Sequence, residues 1–155
     1  MYIYIFGVRL TADVKNGIIK KEKEGGGHMK AHIAPARPRA YDYGVAGQNR
    51  AALTEVLEHF GIGSQAIAPG QLSRRVAELD KPAPAGPFAG PAESLLLLED
   101  VEETTLRAML AALREKGVQI DYKAVVTPHN RQWTVLELLE ELKRERQAIR
   151  EAQQS

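Results

Sequence analysis

Residues 123–134, KAVVTPHNRQWT, form the densest group of side chains able to recognise or react in this chain. Hydrophobic periodicity places them at the end of a strand that runs into a helix N-terminus, where free backbone N–H groups and the helix dipole favour an anion. On that placement Thr127, Pro128, His129, Asn130, Arg131 and Trp133 make a candidate ligand-binding loop. Thr127, Asn130 and Arg131 would hold a phosphate or carboxylate, with Trp133 as a stacking platform. The same residues also have a purely structural reading. Thr127-Pro128 is then a turn, Asn130 bonds its own backbone, Trp133 staples against Leu138, and Arg131 is solvated.

His129 has no serine or cysteine nucleophile in a recognisable context, so no catalytic residue is assigned. Glu99, Asp100, Glu102 and Glu103 follow a strand and could take Mg²⁺, although acids in a first helical turn are common for dipole reasons alone. An enzyme using His129 or this acidic cluster is the alternative to a binding module. The four histidines, His28, His32, His59 and His129, form no HxxxH or HxH pair, and the chain has no cysteine. No metal and no cofactor are therefore assigned. No Walker A or GxGxxG motif is present; Gly25, Gly26 and Gly27 precede no predicted helix.

Hydrophobic residues at 44% and charged residues at 26% of 155 put the chain among globular proteins of one domain. Its longest apolar run, Leu95 to Leu98, is far short of the roughly 20 residues a membrane span needs, so no membrane partner is expected. The net charge is +1, and the first 28 residues hold five Lys/Arg against three Asp/Glu, which leaves the remainder slightly acidic. Without a basic stripe no nucleic-acid partner is expected. The opening MYIYIF lacks the pattern of a secretory signal, and the absence of cysteine suits a reducing compartment, so the expected location is cytoplasmic. The expected partner is a small anionic ligand or another protein.

Residues 16–29, NGIIKKEKEGGGHM, show no packing logic, and residues 1–28 read as a non-native or disordered leader before a native start at Met29 rather than Met1. A real strand at 2–8 with a flexible linker is the alternative. Residues 29–150 then form a single domain with halves 38–79 and 93–150, joined by the proline- and glycine-rich linker 81–91.

The spacing predicts a strand at 39–45, a helix at 48–60 closed by Gly61 and Ile62, a strand at 64–68 and a brief helix at 71–79. In the second half it predicts a strand at 94–98 and a helix capped by Asp100 and closed by Gly117 and Val118. A strand at 120–126 follows. The last helix opens on a Thr134/Glu137 capping box. Val135, Leu138, Leu139, Leu142 and Ile149 line one face of it, Glu140 and Arg144 pair four apart, and beyond Arg146 it should fray. Pairing of two copies through Leu138, Leu142 and Ile149, giving a homodimer, is a third reading.

Gly61 and Gly117 lie 56 residues apart in matching helix-Gly-aliphatic-strand contexts, which points to an internal βαβ duplication. The fold class is α/β, an α+β sandwich: a ferredoxin-like double βαβ with an extra C-terminal helix, or alternatively a small doubly wound parallel sheet.

Lys123, Ala124, Val125, Thr127, Pro128, Asn130, Trp133 and Thr134, followed by a Leu/Glu helix, resemble the C-terminal signature of a small bacterial family, domain of unknown function 3783. The resemblance is strong from about residue 94 to 146 and weak over 29–79. It implies a compact bacterial α/β domain and carries no activity. The proline-rich segment 81–91 departs from the family's usual midsection.

Overall fold

A computed structural model describes residues 3–5, 8–10 and 37–154. Where the alternative to a leader put one strand at 2–8, two short strands pair antiparallel, β1 (Ile3–Ile5) and β2 (Val8–Leu10). The expected leader boundary at Met29 lies outside the described residues. From residue 39 the order is β3 (Arg39–Tyr43), α1 (Gly47–His59), β4 (Gly63–Ala66), β5 (Leu95–Glu99), α2 (Glu103–Glu115), β6 (Tyr122–Val125) and α3 (Val135–Gln154). Short 3₁₀ turns occupy Pro69–Gln71, Val76–Glu78 and Asn130–Gln132.

The four strands from β3 onward form one mixed sheet in the order β4-β3-β5-β6. Each βαβ unit pairs its own strands in parallel, and the two units meet through the antiparallel pair β3–β5. This is an α+β fold with the expected C-terminal helix. Two finer expectations are corrected: the sheet is not all parallel, and its units are not interleaved in the ferredoxin-like manner. Each helix returns the chain to the strand's immediate neighbour, so the free edges of β3 and β5 are left to pair with one another.

Strand side chains alternate between two cores. Ala40, Leu96 and Leu98 pack with Leu53, Val56 and Leu57 of α1 and Leu106, Met109 and Leu113 of α2. Tyr41, Tyr43, Leu95, Leu97 and Ala124 pack on the other face with Val76, Leu79 and the α3 residues Val135, Leu138 and Leu142. Being covered on both faces explains why Leu95, Leu96, Leu97 and Leu98 form a continuous apolar run instead of alternating.

The duplication is visible in the coordinates. β3 and β5 match at an offset of 56, as do α1 and α2, while β4 and β6 match at 59 because the second helix–strand loop is longer. Both helices end in the same hydrogen-bonded cap. Gly61 N–H donates to Glu58 O and Ile62 N–H to Leu57 O; Gly117 and Val118 repeat this on Arg114 and Leu113. The 59-residue offset continues past the sheet, relating Pro69 to Pro128, Gln71 to Asn130, and Val76-Ala-Glu-Leu79 to Val135-Leu-Glu-Leu138.

A local two-fold axis relates the repeats. It passes between Tyr41 and Leu97, which are equivalent residues facing each other in the β3–β5 register. It passes again between Arg75 and Thr134, equivalent residues forming an antiparallel bridge. Around that bridge Val76 N–H donates to Trp133 O at 2.9 Å, and Val135 N–H donates to Arg74 O at 3.0 Å.

Several local expectations are corrected. Residues 71–79 hold the end of one 3₁₀ turn and the whole of a second instead of a helix, because Val76 N–H donates to Trp133 O while Leu72 O and Arg74 O accept from Leu136 and Val135 N–H. These bonds use up backbone groups that a helix through this stretch would need. Asp100 does not cap α2. It takes a left-handed backbone, φ 55°, and the helix starts two residues beyond Val101, after Glu102 at the N-cap. The segment 81–91 carries no helix or strand and forms an exposed strap, in which Tyr43 OH donates to Pro91 O at 2.8 Å, Gly90 lies against Tyr43 and Leu72, and Phe88 lies against Gly70. Helix α3 stays regular to Gln154, with Ile149 half-buried, and Arg144 pairs with Glu141 while Glu140 pairs with Lys143.

One buried charge distinguishes the repeats. Asp42 is 3% exposed and bonds the Arg50 guanidinium of α1, where the second repeat has Leu98 and Leu106. Burial raises the Asp42 carboxyl above its ordinary value, against the opposing pull of Arg50. A carboxyl raised in the folded state costs stability as pH climbs from its unfolded to its folded pKa, and costs nothing below both.

Arg50→Leu should therefore destabilise the protein at pH 7 and much less near pH 4, by urea melts across that range. Asp42→Leu combined with Arg50→Leu, which copies the second repeat, should match or exceed the parent stability at pH 7. Gly61 (φ 69°) and Gly117 (φ 68°) have open space where a Cβ would stand, so Gly→Ala at either should cost about 1–2 kcal/mol, and the two losses should agree.

Candidate functional site

The loop after β6 is held by a reciprocal clamp. Thr127 N–H donates to Asn130 Oδ1 at 2.7 Å, and Asn130 N–H donates to Thr127 Oγ1 at 3.1 Å. The Asn130 amide also donates to Val125 O at 2.9 Å, and the residue is 1% exposed. Four residues on, the expected capping box repeats the device: Thr134 N–H donates to Glu137 Oε2 at 2.8 Å and Glu137 N–H to Thr134 Oγ1 at 3.1 Å. Two short clamps in series thus fix the backbone on either side of residues 131–133.

The six loop residues do not converge on one point. Thr127 and Asn130 face each other inside the clamp. Pro128 and His129 are exposed, and the His129 ring stands edge-on to Trp133 with centroids 5.2 Å apart. Trp133 lines a hollow of about 470 Å³ along α3 with Leu136, Glu137, Glu140, Glu141 and Arg144. Arg131 alone turns back over the sheet, where its Nη1 pairs with Glu99 Oε1 at 2.5 Å.

That ion pair marks a groove that sequence reasoning did not assemble. Its first lobe, about 320 Å³, is lined by Arg37, Arg39, Tyr41, Val76, Ala77, Asp80, Glu99, Asp100 and Arg131. A second lobe of about 450 Å³ shares Arg39, Tyr41 and Asp80 and extends to Ser64 and Gln65 of β4. Both volumes fall in the range of small-molecule sites. Arg39 and Glu99 are register partners at the end of the β3–β5 pair. Tyr41 OH donates to Glu99 Oε2 at 3.4 Å, so Glu99 is held from two sides. Tyr41 beside it, then the charges of Glu99 and Asp80, raise the affinity of the Arg39 guanidinium for its proton.

The acidic residues singled out from sequence disperse. Glu99 and Asp100 line the groove, Glu103 pairs with Arg107 at 2.5 Å, and Glu102 is exposed at the helix N-cap. Among the described residues no three acids or histidines gather as a metal site, and no helix is long and apolar enough to cross a membrane.

The groove exists because the two repeats diverge after the bridge. In the second repeat Val135 to Leu138 continues into α3, whose Leu139 and Leu142 cover the sheet. In the first repeat the chain leaves at Asp80 for the strap, and among the described residues no helix covers the equivalent strip. The strip has changed character accordingly. Arg39, Gln65, Asp80, Glu99 and Arg131 stand where the two-fold axis puts Leu95, Ala124, Leu139, Tyr43 and Leu72. Those five counterparts are all buried. Comparing the halves at offsets of 56 and 59 is the sequence signal that would have found Arg39 and Asp80.

Fold and site together define a duplicated βαβ domain with one helix-covered strip and one open, charged strip. Residues 94–149, the second repeat with most of α3, match the family described as Domain of unknown function (DUF3783). No curated protein and no solved structure matches the chain.

Asn130→Ala should remove the acceptor for Thr127 N–H and the donor to Val125 O, lowering stability by about 2–4 kcal/mol in urea melts. Asn130→Asp keeps the acceptor but buries a carboxylate against Val125 O, so it should destabilise at pH 7 at least as much and recover at low pH, where the protonated acid can donate.

Proposed function

We propose that this protein is a non-enzymatic binding module that holds a small charged ligand in the groove between Arg39, Asp80 and the Glu99–Arg131 pair. The observation that carries this reading is that five groove residues, Arg39, Gln65 and Asp80 of the first repeat with Glu99 and Arg131 of the second, are charged or polar where their two-fold counterparts are buried. Burial of the strip by α3 requires apolar side chains; a strip left open to solvent does not require a guanidinium–carboxylate pair braced by a tyrosine hydroxyl. The left-handed backbone of Asp100, a conformation a non-glycine residue adopts at some cost, also falls in the lining. Of the loop proposed from sequence, Arg131 is the residue that takes part, and the Thr127–Asn130 clamp positions it. His129 lies outside the groove lining, and the residues that do line it are suited to holding charge rather than attacking a substrate.

A thermal-shift screen against phosphorylated metabolites, carboxylates and amino acids tests the reading. A ligand at about 100 times its Kd adds ~2.7 kcal/mol, which for a chain of this size raises Tm by on the order of 5–10 °C. Arg39→Leu, which installs the second repeat's residue, should leave the unliganded Tm within about 2 °C of the parent and abolish that rise. If no compound gives a rise that depends on Arg39, the groove is not a binding site.

A further inference from the structure

Resting on that reading, we infer that the groove takes a small zwitterion, an amino-acid-like molecule with a carboxylate at one end and an ammonium group at the other. The lining is balanced in charge: Arg37, Arg39 and Arg131 stand against Asp80, Glu99 and Asp100. A simple anion placed among the arginines is repelled by three carboxylates, and a simple amine by three guanidinium groups. A molecule carrying both charges satisfies both sets, and neutrality of the whole keeps the desolvation of the site from being opposed by a residual charge.

The internal pairings narrow the roles. Arg131 and Glu99 are bonded to each other, and Glu99 also accepts from Tyr41. With that pair satisfied, Arg37, Arg39, Asp80 and Asp100 remain as charges of the lining. Of these four, Arg39 and Asp80 line both lobes, which makes them the anchoring charges. Arg39 receives the carboxylate through a fork of N–H donors, and Asp80 receives the ammonium. Both anchors are charged only in the first repeat; Leu95 and Leu139 hold the equivalent places in the second, so the site occurs once per molecule despite the duplication.

The experiment is calorimetric titration of the whole chain with ω-amino acids from glycine to 6-aminohexanoate, each beside the plain acid and the plain amine of the same length. The expected result is one chain length that binds about ten- to a hundredfold tighter than either singly charged analogue. Asp80→Leu should then reduce the zwitterion to the affinity of the plain acid, and Arg39→Leu to that of the plain amine. Both residues are exposed, and an unchanged Tm of each unliganded variant separates loss of binding from loss of fold. Equal affinity for the plain acid and the zwitterion, still lost in Arg39→Leu, overturns the zwitterion and leaves groove binding standing. Failure of every member of the series to bind the parent protein overturns the zwitterion, and the groove itself is then judged by the Arg39-dependent screen above.

Discussion

The antiparallel pairing of β3 with β5, centred on Tyr41 and Leu97, is the contact through which the two halves become one sheet. Each βαβ unit alone would have two strands with an open edge and an apolar face on either side, too little to bury a core. Joining the units edge to edge gives four strands and lets α1 and α2 share one core while the 3₁₀ turns and α3 share the other. The second clasp, the bridge between Arg75 and Thr134, ties the two chain segments that cover the second core. Because both clasps lie on the same two-fold axis, the register of the first fixes which residues can meet in the second.

Within this frame, small amide and hydroxyl side chains do much of the local positioning. Gln71 and Asn130 are equivalent and both buried, and each accepts the N–H of the residue three before it, from Ala68 and Thr127 respectively. Their remaining donors point differently. Asn130 turns back to Val125 and the chain goes on into α3, whereas Gln71 reaches forward to Leu79 and Lys81 and ends the turn there. The repeats part here: the second continues as a twenty-residue helix, and the first gives way to a strap whose Pro82 and Pro84 cannot continue one.

The charged groove follows from that separation. Removing a covering helix leaves a strip of sheet in contact with water, where apolar residues have no advantage and charged ones incur no burial cost. On the opposite face the pair Asp42 and Arg50 stands where the second repeat has two leucines: Asp42 is buried, and the partly exposed Arg50 reaches in to satisfy its charge.

The sequence by itself determined the elements and the repeat. Leu95 to Leu98 read as a strand covered on both faces, Gly61 and Gly117 as matching caps, and Thr134 with Glu137 as a capping box, because each depends on residues within a few positions of one another. The family resemblance was legible in the same way, from Lys123 to Thr134. The leader and the assembly of copies through α3 had no such local determinant. Only the tertiary structure decided that the two units pair side by side, that residues 71–79 stop short of a helix, and that Arg131 leaves its own loop to meet Glu99. Those outcomes rest on contacts between residues far apart in the chain, such as Arg39 with Glu99 and Val76 with Trp133. Local propensity carries no information about which distant carbonyl or carboxylate a side chain will reach, and the site is made of such contacts.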